Sequence, residues 1–311
     1  METATDTTTR TFIQVSEVWV PQGDSLKLAA GDYGDLALFE EASRQETFAR
    51  GEGLPGKAWA EARPVVLKDL DGSYFKRADA ARAAGLTSAV AVPVFDGKAL
   101  KAVLVVICSD DDTRTGAIEV WSEKDGLLML DDGYYGAAKH FEWVSQHTHF
   151  PRGQGLPGGV WAAETPMLLR DLGSGYRFIR ADSAGKAGLT TGLGVPIPVP
   201  GGRTYVLTLL SARGTPIARR FELWDARAAR VGKAHDAVLV DGICAREGAL
   251  WDPDNAGNEP QVTAWQGPIG RVLGTGAPVV ETETHPAGYA SMVALPIHKD
   301  GELAHIVAWY C

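Results

Sequence analysis

The sequence predicts an α+β protein made of three tandem modules of one kind, each an antiparallel sheet of about five strands with inserted helices. Three observations carry this. The stretch RGEGLPGKAW, Arg50 to Trp59, returns as RGQGLPGGVW, Arg152 to Trp161. The landmarks around it move together: Trp19 in EVW recurs 102 residues on as Trp121, and AGLTSAVAVPV around Gly85 recurs 103 residues on as AGLTTGLGVPI around Gly188. A third, worn copy follows, with ELW at Glu222 to Trp224, GPIG at Gly267 to Gly270 and AGYASMVALPI around Gly288. Pro93 and Cys108, Pro196 and Ser211, and Pro296 and Cys311 each lie 15 positions apart, so the last strand keeps step as well. An ordered series in three copies is a repeat, and a repeat fixes the architecture before any single element does. It divides the chain into modules at residues 9–111, 112–214 and 215–311.

Within a module the elements follow in order. FIQVSEVWV is a β-branched and aromatic run, and after a Gly-containing turn LKLAAG is a second one. DLALFEEASRQETF sets Leu36, Phe39 and Ala42 near one helical face with charges opposite, and AAKHFEWVSQHTHF is its counterpart in copy two. In the GLPG stretch the glycines permit a tight loop and Pro55 suits a helix start, where a missing N–H would have no partner anyway. Trp59 rides one turn behind and is expected to be a buried anchor. PVVLKDL is a short edge strand that opens on a tolerated proline. FKRADAARAAG is a helix closed by Gly85. SAVAVPVF and LKAVLVVIC, joined by Asp96-Gly97, form the final hairpin. The third copy lacks two helical segments: the first helix is replaced by turn-rich WDPDNAGNEP, and the FxRAD helix is gone.

The totals exclude several classes of function. The chain has 311 residues, 45% of them hydrophobic and 22% charged, which is globular composition. A net charge of −9 speaks against nucleic acid, whose phosphates need a basic surface. No run approaches the roughly 18 apolar residues that span a bilayer, so no membrane is expected. METATDTTTRTF has no basic-then-apolar leader pattern, and three cysteines without CxxC spacing read as reduced thiols. The expected location is the cytoplasm.

The order of two strands, a helix, the Gly-Leu-Pro-Gly corner with its Trp, a short strand, an FxRAD helix, AGL…VPV and a final hairpin resembles a GAF domain of the kind found in bacterial signalling proteins. The likeness covers copies one and two almost end to end and copy three in part. It implies a ligand pocket between sheet and helices. In copy one that pocket would be lined by Tyr33, Phe39, Trp59, Phe75 and Arg77, with Asp79 nearby. In copy two the lining would be Tyr135, Phe141, Trp161, Phe178 and Arg180, with Asp182. Such an aromatic pocket with one cation suits a small planar or anionic ligand. For each of these residues, core packing or helix capping is the competing role.

The chemistry of relatives is mostly missing. No cysteine is placed to carry a bilin, no cysteines group on pocket loops as in the methionine-sulfoxide-reducing GAF enzymes, and the Asn-Lys-Phe-Asp-Glu signature of cyclic-nucleotide binders is absent. His140, His147 and His149 have no acidic or cysteine partner at ligand spacing, so no metal is expected. DPDNAG from Asp252 fails as a calcium loop, with Ala256 and Thr263 at ligand positions. No cofactor is expected.

Three readings remain. The first is a non-enzymatic sensory or regulatory protein that binds a small molecule or a protein partner. The second is a structural or interaction module whose pockets are filled by its own side chains. The third is a cysteine-based redox enzyme, which needs an accessible, low-pKa thiol. The first two part on whether a cavity or a plug of side chains lies between sheet and helices. Signalling GAF domains commonly cover their outer sheet face with long flanking helices, and the links here are too short for that. AVLVVIC is apolar on both faces, so neighbouring modules or a second chain must cover the outer face.

Overall fold

A computed structural model describes residues 11–109, 113–174, 178–227, 236–251, 259–283 and 288–311. The expected boundaries at residues 9 and 111–112 and the Asp252 turn segment lie outside them. The first module runs β1 (Ile13–Gln22), β2 (Ser25–Asp32), α1 (Ala37–Gln45), β3 (Thr47–Ala49), α2 (Gly53–Glu61), β4 (Val65–Leu67), α3 (Ala78–Ala83), β5 (Ser88–Asp96) and β6 (Ala99–Cys108). Its strands lie in the order β3-β2-β1-β6-β5-β4, antiparallel throughout. The second module repeats every element: β7 (Thr115–Lys124), β8 (Leu127–Gly136), α4 (Lys139–Gln146), β9 (Phe150–Pro151), α5 (Gly155–Ala163), β10 (Met167–Arg170), α6 (Ala181–Lys186), β11 (Leu189–Pro198) and β12 (Thr204–Ala212).

The third module keeps the sheet through β13 (Arg220–Asp225), β14 (Asp236–Cys244), β15 (Gly248–Ala249), β16 (Gln261–Thr263), α7 (Gly267–Thr275), β17 (Val279–Glu281), β18 (Met292–Lys299) and β19 (Glu302–Tyr310). Among the described residues it has no counterpart of α1 or α3. Among the described residues the sheets have six, six and seven strands rather than five. The extra strand β3 and its counterpart β9 are two or three residues long, too short to show alternation, and they exist because the chain must run along β2 before the corner.

That corner is built on close approach. At Gly56 a Cβ would lie 2.1 Å from the Ala49 carbonyl oxygen, and at Gly158 and Gly270 the corresponding distances are 2.3 and 2.4 Å. The Gly51 N–H closes the turn on the Gly56 carbonyl at 2.7 Å, and Gly153 does the same with Gly158 at 2.8 Å. The helix begins at Gly53, with Pro55 inside its first turn.

Each sheet has two apolar faces. One packs on its own helices, as with Trp19, Phe39, Leu54 and Val105 in module one. The other faces a core shared by all three modules, containing Val92 and Leu104, Val195 and Leu207, and Leu295 and Val307. Strands β5, β11 and β18 touch one another there. Pro93, Pro196 and Pro296 line the small void where they meet.

The edges join in a ring. β4 meets β8, where Lys68 pairs with Asp132 at 2.9 Å and Arg63 with Asp131 at 3.0 Å. β10 meets β14 through Arg170 and Asp241 at 2.5 Å, and β17 returns to β1 and β2. Equivalent edges thus meet in the same sense three times, a head-to-tail arrangement that closes within one chain. The outer faces are covered by neighbouring modules. No helix among the described residues is long and apolar enough to cross a membrane.

Candidate functional site

The space between sheet and helices in module one is organised around Glu17. Glu17 and Trp19 are alternate residues of β1 and both face the helices, while Val18 between them enters the shared core. The Trp19 Nε1–H donates to Glu17 Oε2 at 2.9 Å and the Tyr33 hydroxyl to Oε1 at 3.1 Å. Arg77, at the N-cap of α3, lays its guanidinium across both carboxylate oxygens, Nη2 reaching Oε2 at 2.9 Å and Nη1 reaching Oε1. Nη1 also donates to the Ser43 hydroxyl, which itself donates to the Phe39 carbonyl at 2.7 Å. Four rings enclose the guanidinium: Phe39 at 4.8 Å, Phe75 at 5.0 Å, Trp19 at 5.4 Å and Phe48 at 5.9 Å. The Arg77 side chain is 2% exposed and that of Glu17 is 0% exposed.

Module two repeats the arrangement and adds one hydrogen bond, from Thr208, where module one has Val105. Glu119 accepts from Trp121 Nε1 and the Tyr135 hydroxyl, each at 3.1 Å, from Arg180 Nη1 at 2.5 Å and Nη2 at 2.9 Å, and from the Thr208 hydroxyl at 2.7 Å. Arg180 reaches Ser145 at 2.5 Å and lies under Phe141, Phe178, Trp121 and Phe150 at 4.6, 5.1, 5.2 and 5.5 Å. Burial pushes the Glu119 carboxyl up, but the charge and hydrogen bonds of Arg180, with Thr208 and Ser145, outweigh it and hold the carboxyl below its ordinary value. Burial, and then the adjacent carboxylate, push the Tyr33 and Tyr135 phenols well up, so both are neutral donors. Nε of each arginine is buried without a hydrogen-bond partner among the described residues.

Module three rebuilds the pair from the sheet alone. Glu222 accepts from Trp224 Nε1 and from the Tyr310 hydroxyl, both at 3.0 Å. Its guanidinium comes from Arg220, two residues back on the same strand, at 2.6 Å from Nε.

Of the twelve residues expected to line the two pockets, the structure brings together Tyr33, Phe39, Phe75 and Arg77, and likewise Tyr135, Phe141, Phe178 and Arg180. It does not bring in Asp79 or Asp182. Both are exposed in the first turn of their helices, and Asp79 pairs with Arg82 at 2.9 Å instead. Their side chains point away because Arg77 and Arg180, two positions earlier, take the inward direction. Trp59 and Trp161 are half-buried, not the sealed anchors expected; Trp59 bridges the module core and the shared core, and Trp161 lies under Arg152 at 5.2 Å. The fully buried tryptophans are Trp19, Trp121 and Trp309.

Sequence reasoning missed Glu17, Ser43 and Phe48 and their partners Glu119, Ser145 and Phe150. The signal was present. A glutamate stands two residues before the tryptophan in all three copies, a charge repeated inside an apolar strand.

The thiols divide. Burial pushes Cys108 up, and it pushes Cys311 up to about 12. Burial also acts to raise Cys244, but the Tyr289 hydroxyl at 3.1 Å and the Arg246 and Glu247 N–H groups hold it below its ordinary value. Cys244 is nonetheless 2% exposed. His140, Trp143 and His147 stack along the exposed side of α4, and the described residues hold no group of three or more metal-ligating side chains.

Residues 1–122 match the family model of the GAF domain. Transcription factor bHLH13 of Arabidopsis thaliana is 42% identical over 62 residues, which is 19% of this chain and 10% of that protein. Among solved structures, the A. aeolicus nlh2 GAF domain in an inactive state has a TM-score of 0.27 and 20% identity, over 32% of this chain and 59% of that one. The free methionine-R-sulfoxide reductase from Neisseria meningitidis, in complex with its substrate, has a TM-score of 0.25 and 20% identity, over 31% and 52%. The chain thus spans a tenth of the plant protein and little more than half of these two structures.

Proposed function

We propose, for a chain whose residues 1–122 match the GAF-domain family model, that it is a non-catalytic regulatory and interaction module whose two complete pockets are occupied by its own side chains. GAF domains are sensory or ligand-binding modules. In this chain the arginine that would meet a planar or anionic ligand is already paired, inside its aromatic box, with a carboxylate from the first strand of its own module. That occupation, Arg77 on Glu17 and Arg180 on Glu119, is the observation on which the reading rests. A ligand entering either box would have to displace a buried ion pair, leaving two charges uncompensated at a cost of several kcal/mol. The redox reading needs an accessible thiolate, and the one thiol held below its ordinary value is closed off by Tyr289.

Native mass spectrometry of the full chain tests this. The boxes should hold no small molecule. A stoichiometric adduct retained by the parent protein and lost from both Arg77→Ala and Arg180→Ala would overturn the reading.

A further inference from the structure

A second kind of site lies between the modules, away from both boxes. A cleft of about 720 Å³ opens between modules one and three, beside Arg114. The backbone next in sequence to its lining residues Thr11 and Arg114 is tied down: the Thr115 N–H donates to the Thr215 hydroxyl at 2.8 Å, that hydroxyl donates back to the Thr115 carbonyl at 2.9 Å, and the Phe12 N–H reaches the Pro216 carbonyl at 3.0 Å. Three arginines from different parts of the chain line it: Arg114 before β7, Arg219 before β13 and Arg246 after β14. Arg114 is braced by a 2.5 Å bond from Nη1 to Ser109, and Arg246 lies over the Tyr289 ring at 6.0 Å. Arg219 and Arg246 form no ion pair among the described residues. The module-one side brings two carboxylates, Asp32 and Asp35.

This is a convergence of cations on a chain of net charge −9. A guanidinium is a planar fork that matches the oxygens of a phosphate two at a time, and several of them in one concave site focus the field on an anion. The volume falls within the range of about 300–1,000 Å³ typical of small-molecule sites. Carboxylates beside such a site are ill suited to a bare anion but accept hydrogen bonds from hydroxyl groups. Tyr289 offers a ring face beside Arg246.

We propose that the cleft binds a phosphomonoester with vicinal hydroxyls, of the sugar phosphate or nucleoside monophosphate class. The phosphate lies on Arg219 and Arg246, and the hydroxyls lie on Asp32 and Asp35. The site belongs to the assembled chain, since no single module supplies both walls.

Isothermal titration of the full chain at low salt, with adenosine monophosphate, ribose 5-phosphate, inorganic phosphate and citrate, tests the assignment. Both phosphoesters should bind, with inorganic phosphate and citrate at least tenfold weaker. Arg219→Gln and Arg246→Gln should each weaken the phosphoesters at least tenfold while the thermal midpoint of the free protein is unchanged. Asp35→Asn should weaken the phosphoesters and leave inorganic phosphate no weaker. Absence of phosphoester binding, citrate binding equal to that of the esters, or unchanged affinity in both arginine variants would each overturn it. Binding lost in Arg77→Ala but kept in the two cleft variants would instead place the ligand in the module-one box.

Discussion

Arg77 reaches across 60 residues of sequence to Glu17, and neither side chain meets water. Removing one member of such a pair strands the other in an apolar interior. Arg77→Met should therefore destabilise the protein by about 3–5 kcal/mol, read from urea melts, and Glu17→Leu by a similar amount. The double variant Glu17→Leu/Arg77→Met should cost less than either single change, because two apolar groups of similar volume strand no charge. Single variants that cost less than 1 kcal/mol would mean that the box is wet and open. A second buried group makes stability depend on pH. Burial lowers His305 to about 4, against the favourable pull of Asp225 and with Arg227 and Lys299 adding to the drop, so the folded ring is neutral. The unfolded chain takes up the proton near the ordinary value of about 6.5. Stability should then fall as pH drops from about 6.5 to about 4, by up to roughly 3 kcal/mol at 1.36 kcal/mol per pKa unit. His305→Gln should flatten that slope in thermal melts, and an unchanged slope would show that the ring is hydrated. Phe39, Phe75 and Arg77 of the box were placed by the likeness to a GAF domain, and they recur as Phe141, Phe178 and Arg180; Phe48 was missed although it recurs as Phe150. Glu17 escaped because a carboxylate inside a strand looks like a solvent-facing residue until its partner 60 positions on is known.

The GLPG corner shows why its fourth residue differs from the other glycines. Gly53 supplies a left-handed backbone at φ 57°, and a Cβ there would first meet a side chain, the Phe48 ring. Gly56 is helical, and only its lack of a side chain lets α2 approach the Ala49 carbonyl of β3. Gly56→Ala and Gly158→Ala should each cost about 1–3 kcal/mol or more, as overpacking does. At Gly85, in a left-handed backbone with nothing within 4 Å, a change to Asn should cost far less, since Asn tolerates that conformation. Equal losses at Gly56 and Gly85 in denaturant melts would mean that the corner relaxes and the close approach is not a constraint. The corner, the hairpins and the long apolar strands were readable because each is set by local chemistry: a glycine, a turn pair, a run of β-branched residues. β3 and β9 were not, since two or three residues carry no period, and they pair only because α1 and α4 deliver the chain alongside β2 and β8.

Three sheets closing around one core explain how short links can replace flanking helices. Val92, Val195 and Leu295 stand at matching places on β5, β11 and β18, and each module buries its outer face against the other two. The repeat showed that these faces needed cover; the ring of edges β4 to β8, β10 to β14 and β17 to β2 could not be read from periodicity, because it depends on the angle at which twisted sheets meet. The third module lacks counterparts of α1 and α3 among the described residues, yet it keeps the parts that serve the ring: β17, β18, β19 and the Arg220–Glu222 pair that holds its inner face. Its contribution is therefore to the closed assembly, and to the cleft it shares with module one, more than to a pocket under helices of its own. A fragment ending at Ala218 keeps both complete modules but uncovers Val90, Val92, Leu193 and Leu207 and frees the β2 edge that β17 covers. Exposed apolar patches beyond a few hundred Å² are rare on monomers, and open strand edges pair with other chains. The fragment should form dimers or larger species in light scattering at micromolar concentration, while the full chain unfolds in a single cooperative transition. A monomeric fragment as stable as the full chain would show that each module stands alone and that the shared core holds nothing together.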